Sequence, residues 1–179
     1  MRALLAFSKF IDAINERIGK LASAALVIAV LITAATAMVR YAYDNSSNAF
    51  LEIQWYLFAA VVMLGAAATF RRNEHVRVDI LYTRLSPRGK LWLDLVGTLA
   101  VMLPVCIAFA YLSWPIFVTA WRGGEVSSNA GGLTRWPFAL LVPLGFALLV
   151  LQGISEIIKR IVALCDAAPI ESNYERPLQ

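Results

Sequence analysis

The sequence predicts an all-α integral membrane protein of four transmembrane helices with both termini in the cytoplasm, preceded by an amphipathic helix at the membrane interface. Three observations carry this. Charge-free apolar runs occupy Leu21 to Val39, Ile53 to Phe70, Leu95 to Trp121 and Trp136 to Ser155, and a helix needs about 20 apolar residues to cross roughly 30 Å of hydrocarbon. None alternates polar and apolar positions as a barrel strand would, so a helix is left as the way to satisfy backbone groups in lipid. Second, Lys and Arg collect in alternate gaps. Arg2, Lys9, Arg17 and Lys20, the six from Arg71 to Lys90, and Lys159, Arg160 and Arg176 fall on one side, against Arg40, Arg122 and Arg135 on the other. Across short loops, that asymmetry puts the first set in the cytoplasm. Third, Tyr41, Tyr43, Trp55, Tyr56, Trp121 and Trp136 flank the outer ends, and Tyr82 and Trp92 the inner side, where a ring can be buried with its polar atom still wet.

Taken in order, residues 1–20 place Leu4, Phe7, Ile11, Ile14, Ile18 and Leu21 at spacings of three and four, with Lys9, Asp12, Glu16 and Lys20 between them. This predicts an amphipathic helix on the inner interface that then turns into the membrane. The first span covers about 21–39. Its Ala35-Thr36-Ala37 fits a signal cleavage pattern, but both the leading region and the apolar run are longer than a cleaved signal has, and the span is retained. The second covers about 50–70, with Glu52 at its outer mouth. The third, about 91–121, holds a charge-free run rising about 40 Å, so it must tilt, kink or protrude; Pro104 and Pro115 are the expected kinks. Lys90 can pair with Asp94 at i, i+4. The fourth span, about 136–158, has Pro137 in its first turn and Pro143 inside. These spans make a membrane domain over 21–158, followed by a cytoplasmic tail over 159–179.

Small residues recur where helices could approach closely, namely Ala25, Ala29, Thr33 and Ala37 in the first span, Gly65 in the second, and Gly145 and Gly153 in the fourth. Such positions let backbones pack within van der Waals reach, the main source of helix association in lipid.

The pattern also excludes functions. The single His75 sits beside Glu74 without metal-ligand spacing, and no nucleophile has a base, so no catalytic, metal or substrate-binding residue and no cofactor is assigned, and the chain is not read as an enzyme. The net charge of +4 reflects loops that meet anionic lipid, and no nucleic acid is expected. Cys106 and Cys165 lie at different depths and form no disulfide. No Asp, Glu, Lys, Arg or His occurs at mid-depth, whereas ion-coupled carriers need intramembrane charge or broken helices. A haem-bearing anchor would need intramembrane His, and a self-contained or homodimeric four-helix carrier would want an acid in the first span. The sequence has neither; a self-contained or homodimeric four-helix carrier and a structural anchor of another complex stay as the alternatives.

Two stretches carry a family resemblance. The run Leu51 to Arg88, LEIQWYLFAAVVMLGAAATFRRNEHVRVDILYTRLSPR, resembles the small membrane subunit of tripartite ATP-independent periplasmic (TRAP) transporters. There an acidic residue opens the second span, a Gly-Ala stretch follows, and His-Val-x-Val-Asp begins the cytoplasmic connection. The matching positions are Glu52, Gly65-Ala66, and His75 to Asp79. Gly131 to Ile161, with Glu125, Ser127 and Gly131-Gly132-Leu133, resembles the mannitol/chloroaromatic branch. The chain departs from many members in having a single acid, with Ile53 and Gln54 after Glu52. The resemblance implies an accessory subunit in the bacterial inner membrane. Its partners would be a large permease subunit, a periplasmic substrate-binding protein and membrane lipid, in sodium-coupled uptake of an organic acid. It further implies assembly or docking contacts at Glu52, at His75, Arg77 and Asp79, and at Arg122, Glu125 and Arg135.

Overall fold

The computed structural model describes residues 2–44, 47–73 and 85–166. Four long helices follow in order: α1 (Arg2–Tyr43), α2 (Asn48–Arg71), α3 (Pro87–Arg122) and α4 (Trp136–Asp166). All four are long and apolar enough to cross a membrane, and no strand is present among the described residues. The last three agree with the predicted spans to within a few residues at their starts. Two differences lie at the ends.

The amphipathic segment and the first span are one uninterrupted helix of 42 residues, about 63 Å long; the turn expected near Lys20 does not occur. The reason is visible on its inner face. Ser8, Ile11, Asn15, Gly19 and Ala22 are buried, whereas Leu4, Phe7 and Leu21 of the apolar stripe are exposed. The helix therefore turns a mixed polar and small-residue face to the protein. With partners for its polar groups on other helices, it has no cause to bend onto lipid headgroups. At the other end, α4 runs on to Asp166, so Lys159 and Arg160 belong to a helix and not to the tail.

Helix α3 starts at Pro87, behind Ser86, whose hydroxyl caps it by accepting from the Gly89 amide. Over Thr98–Met102 it widens into a π-helical turn, with the Leu103 amide reaching back to the Thr98 carbonyl. Pro104 follows at once and lacks an amide for the carbonyl one turn back, and the wider turn absorbs that mismatch. Pro115 and Pro143 lie inside their helices.

Helix α4 is the centre of the packing and touches each of the others; α1 also packs along α2, while α3 leans mainly on α4. Glycines set the closest approaches. A Cβ on Gly145 would lie 2.8 Å from both the Cβ and the carbonyl oxygen of Met63, and one on Gly19 would lie 2.5 Å from the Ala68 Cβ. Ring contacts join the helices elsewhere: Phe109 stacks on Phe146 at 5.1 Å, and Tyr56 meets Phe138 at 5.3 Å. Large apolar side chains, among them Leu26, Val30, Leu31, Leu112, Trp114 and Ile116, cover the outer faces of α1 and α3, as lipid requires.

Candidate functional site at the two polar ends

At the loop end, the segment between α3 and α4 folds into a small hairpin. Val126 and Thr134 form an antiparallel bridge, the Ser127 amide donates to the Leu133 carbonyl and the Arg135 amide to Glu125, each at 2.9 Å, and the Gly132 amide closes the turn on Asn129. Gly131 takes φ +70°, a region costly for other L-residues. A Cβ on Gly132 would come within 2.5 Å of the Ser127 Cβ.

One face of α2 holds this hairpin. Glu52 is 3% exposed. Its carboxylate accepts from the Ser127 hydroxyl, from Asn129 Nδ2 at 2.8 Å and from the Leu133 amide at 2.7 Å. One turn before it, Asn48 Nδ2 donates to the Ala130 carbonyl, and one turn after it the Tyr56 hydroxyl donates to Thr134, both at 3.1 Å. Positions 48, 52 and 56 thus form one stripe at i, i+4, i+8. Trp121 and Trp136 meet edge to face at 4.6 Å where the chain leaves α3 and enters α4. Arg135 and Glu125 pair at 4.0 Å on the exposed side, with Arg122 and Val126 exposed beside them.

At the other end, a polar network ties all four helices together. Asp12 of α1 accepts from Gln152 Nε2 at 2.9 Å, from the Ser155 hydroxyl at 2.8 Å and from Lys159 at 3.1 Å. Asn15 Nδ2 donates to Gln152 Oε1 at 2.7 Å, and Ser8 and Ser155 share a hydrogen bond of the same length. Glu156 accepts from Gln152, Lys159 and Arg160, and Arg160 reaches Asp94 of α3 at 3.5 Å. Glu16 pairs with Arg71 and with Arg72, at 2.9 Å for the latter, which joins α1 to α2. Both acids precede the apolar run of α1. Burial pushes the Asp12 carboxyl up, but its hydrogen bonds from Gln152 and Ser155 and the charge of Lys159 outweigh that and hold it below the usual carboxylate range. For Glu16, desolvation is likewise outweighed, here by Arg72 and Arg71. Asn15 Oδ1 is buried without a hydrogen-bond partner among the described residues. No group of three or more His, Cys, Asp or Glu among the described residues is placed to hold a metal ion.

The family model for the DctQ component of tripartite ATP-independent periplasmic transporters matches residues 29–163, about three-quarters of the chain. The chain belongs to the DctQ family. A protein of Haemophilus influenzae named as a TRAP transporter small permease is 28% identical over 145 residues, which cover 80% of this chain and 89% of that one. The protein is therefore a small permease subunit of a TRAP transporter, a transport component and not an enzyme.

In this DctQ subunit the branch residues Glu125-x-Ser127 and Gly131-Gly132-Leu133 have a common explanation: they build the hairpin that delivers a hydroxyl and an amide to Glu52. Glu125 and Arg135 pair on the outside of it, and Arg122 is exposed at the end of α3, three residues before Glu125. Asp94 has an interhelical partner in Arg160, beyond the Lys90 that spacing suggested. The stripe on α1 divides, with Ala29 buried and Ala25 half-buried, but Thr33 and Ala37 exposed. Gly65 sits where a Cβ would be 3.8 Å from the Ala22 Cβ, and Gly153 where it would be 3.0 Å from a Leu103 methyl. His75, Arg77 and Asp79 lie outside the described residues. Sequence reasoning missed Asn48, Tyr56, Asp12, Asn15, Gln152, Ser155 and Glu156. A signal was there: polar residues at three- and four-residue spacing on two helices, 8-12-15 and 152-155-156-159.

Proposed function

We propose that this small permease subunit braces the large permease subunit in the bacterial inner membrane, with both termini cytoplasmic, and offers its hairpin to a periplasmic binding protein during sodium-coupled uptake of an organic acid. The observation that carries this reading is the stripe Asn48, Glu52 and Tyr56, which holds residues 127–134 in one conformation. A surface fixed before encounter costs less ordering on binding, and its Arg122, Glu125 and Arg135 supply charges that steer a soluble partner. The cytoplasmic connection with His75, Arg77 and Asp79 would fasten the inner end of α2 to the large subunit.

The test is charge reversal at Arg122, Glu125 and Arg135 together in the assembled transporter. Uptake should fall several-fold at low binding-protein concentration while the membrane complex purifies intact; normal uptake rejects the docking role. Asp79→Ala should lower the yield of complex, and unchanged yield removes that loop from the assembly contacts.

A further inference from the structure

Polar ties between the helices fix how deep α1 sits. Its Glu16 pairs with Arg71 and Arg72, the first charges after the apolar run of α2. Its Asn15 meets Gln152, just before the apolar run of α4 ends at Ser155. The inner edge of the hydrocarbon therefore crosses α1 near Asn15 and Glu16. Residues 2–14 project past that edge as about 20 Å of helix, of which headgroups account for only about 5–8 Å. Helix α4 runs beside the projection to Asp166, stapled to it by the Asp12–Lys159 pair and the Ser8–Ser155 bond.

The outer face of this projection is apolar where no lipid tail reaches. Leu4, Phe7 and Phe10 are 52%, 50% and 62% exposed, and half-buried Ile14 continues their row at spacings of three and four. Phe10 stands about 9 Å beyond Glu16 and Leu4 about 18 Å, so a protein segment suits them better than a bilayer does. The charges around the row are of one sign. Arg2, Lys9 and Arg17 are exposed, whereas both acids of the stretch, Asp12 and Glu16, are turned to partners on α4 and α2.

That charge pattern selects the occupant. With the termini cytoplasmic as proposed, the loops of a neighbouring membrane subunit would bring still more Lys and Arg to this face. The chain's own tail brings the opposite. Residues 167–179 hold Glu171 and Glu175 against one cation, Arg176, and their Ile170, Tyr174 and Leu178 recur every four positions, as the apolar side of a helical turn does. The tail also begins in the right place. Ser155 is level with Ser8 and Asp12, and α4 continues from there for about 16 Å to Asp166, beside the start of α1. Ala167 to Pro169, when extended, cover about 10 Å, the spacing of neighbouring helices.

We propose that the segment from Ile170 to Leu178 docks on the inner projection of α1, its apolar residues on Leu4, Phe7 and Phe10 and its two glutamates against the cations beside them.

A glutamate-specific protease, applied to the full chain in the assembled transporter, reads this docking, because its sites after Glu171 and Glu175 lie in the docked segment. Cleavage should be slow in the unaltered chain and about tenfold faster when Phe7→Ser and Phe10→Ser are combined, since the apolar area that holds the segment is then gone. Both side chains point away from the other helices, so the bundle itself keeps its packing. Benzoylphenylalanine in place of Phe10 should, on illumination, crosslink to a peptide from residues 167–179 within a band of monomer mass. Cleavage that the double substitution leaves unchanged overturns the proposal. A crosslink from position 10 into the large subunit, a second copy of this chain or a lipid overturns it as well.

Discussion

Replacing Gln152 by Leu strands the Asn15 amide inside the bundle. Gln152 is 0% and Asn15 1% exposed, and the Asn15 donor goes to Gln152 Oε1 at 2.7 Å. The other partners of Gln152 keep alternatives: Asp12 retains Ser155 and Lys159, and Glu156 retains Lys159 and Arg160. The cost therefore falls on one buried donor, about 1–3 kcal/mol. The reciprocal change, Asn15→Val, strands the Gln152 oxygen but also removes an Oδ1 that already lacks a partner, so it should cost less. The double variant leaves two apolar side chains facing each other, which is close to neutral when shapes are kept. The cycle should thus show a favourable coupling of about 1–3 kcal/mol, with the double variant more stable than Gln152→Leu alone. Unfolding of the full chain in mixed micelles by SDS titration, followed by tryptophan fluorescence, measures all four corners. A double variant as unstable as the sum of the singles would falsify the pairing of the two amides and the polar α1–α4 seam with it.

Four further outcomes are expected. Gly145→Ala should lower the unfolding free energy by about 1–3 kcal/mol through overpacking and should not be rescued by Met63→Ala, because the crowding atoms are the Cβ and carbonyl of Met63; Gly97→Ala, with open space around it, is the control and should leave stability unchanged or raise it by up to about 1 kcal/mol. Glu52→Gln keeps one acceptor but turns a donor toward donors, so amide exchange at Leu133 and protease cleavage between 127 and 133 should both quicken; unchanged exchange means that the carboxylate does not hold the hairpin. The Asp12 carboxyl sits below its ordinary range in the folded chain, so its contribution is complete above that range and is lost as pH falls through the depressed value. Stability should then drop below about pH 4, and the drop should shrink in Asp12→Asn. The proposed orientation, with both termini cytoplasmic, expects native Cys165 to react with a membrane-impermeant maleimide only in permeabilised cells and Ser128→Cys to react in intact ones; the reverse pattern overturns it.

The sequence made the helices legible because hydrocarbon imposes a length and a polarity that few other environments do. The charge-free runs mark α2, α3 and α4 closely for that reason. What it did not show was α1 as one rod. Apolar periodicity laid the stripe Leu4, Phe7, Ile11, Ile14, Ile18 and Leu21 on the lipid interface, but polar side chains with partners can bury as well as apolar ones, and partners on a distant helix are invisible from one segment. Gln152, Ser155 and Glu156 were hidden in the same way, at the end of an apolar run and more than 130 residues from Asp12, Asn15 and Ser8 in the chain. Glu52 lay between the two cases. Its residue type at a helix mouth marked it for attention, and the Glu-x-Ser and Gly-Gly-Leu spacing held the other half of the site, yet only the folded hairpin brings three donors to one carboxylate.

The distribution of polar bonds along the bundle bears on what such a subunit does. At its depth, the hydroxyls of Thr33, Thr69, Thr98 and Ser113 donate to carbonyls one turn back on their own helices, so none of these is turned toward a path for a solute. Most of the bonds that join one helix to another gather at the two ends, where Glu52 fixes the hairpin and the Asp12, Glu156 and Glu16 clusters fix the helices; within the apolar runs Gln54 Nε2 of α2 donates to the Thr36 hydroxyl of α1 at 3.4 Å. Between the ends, glycines bring α4 against α2 with no slack for a methyl group at Gly145. Packed interiors of this kind resist continuous deformation. A carrier has to alternate between arrangements and expose polar groups to its cargo as it does so; a frame has to keep one arrangement while something beside it moves. Polar ties at both ends and close packing between them suit the second task, which supports the bracing role proposed above and agrees with a transport step carried out by another subunit.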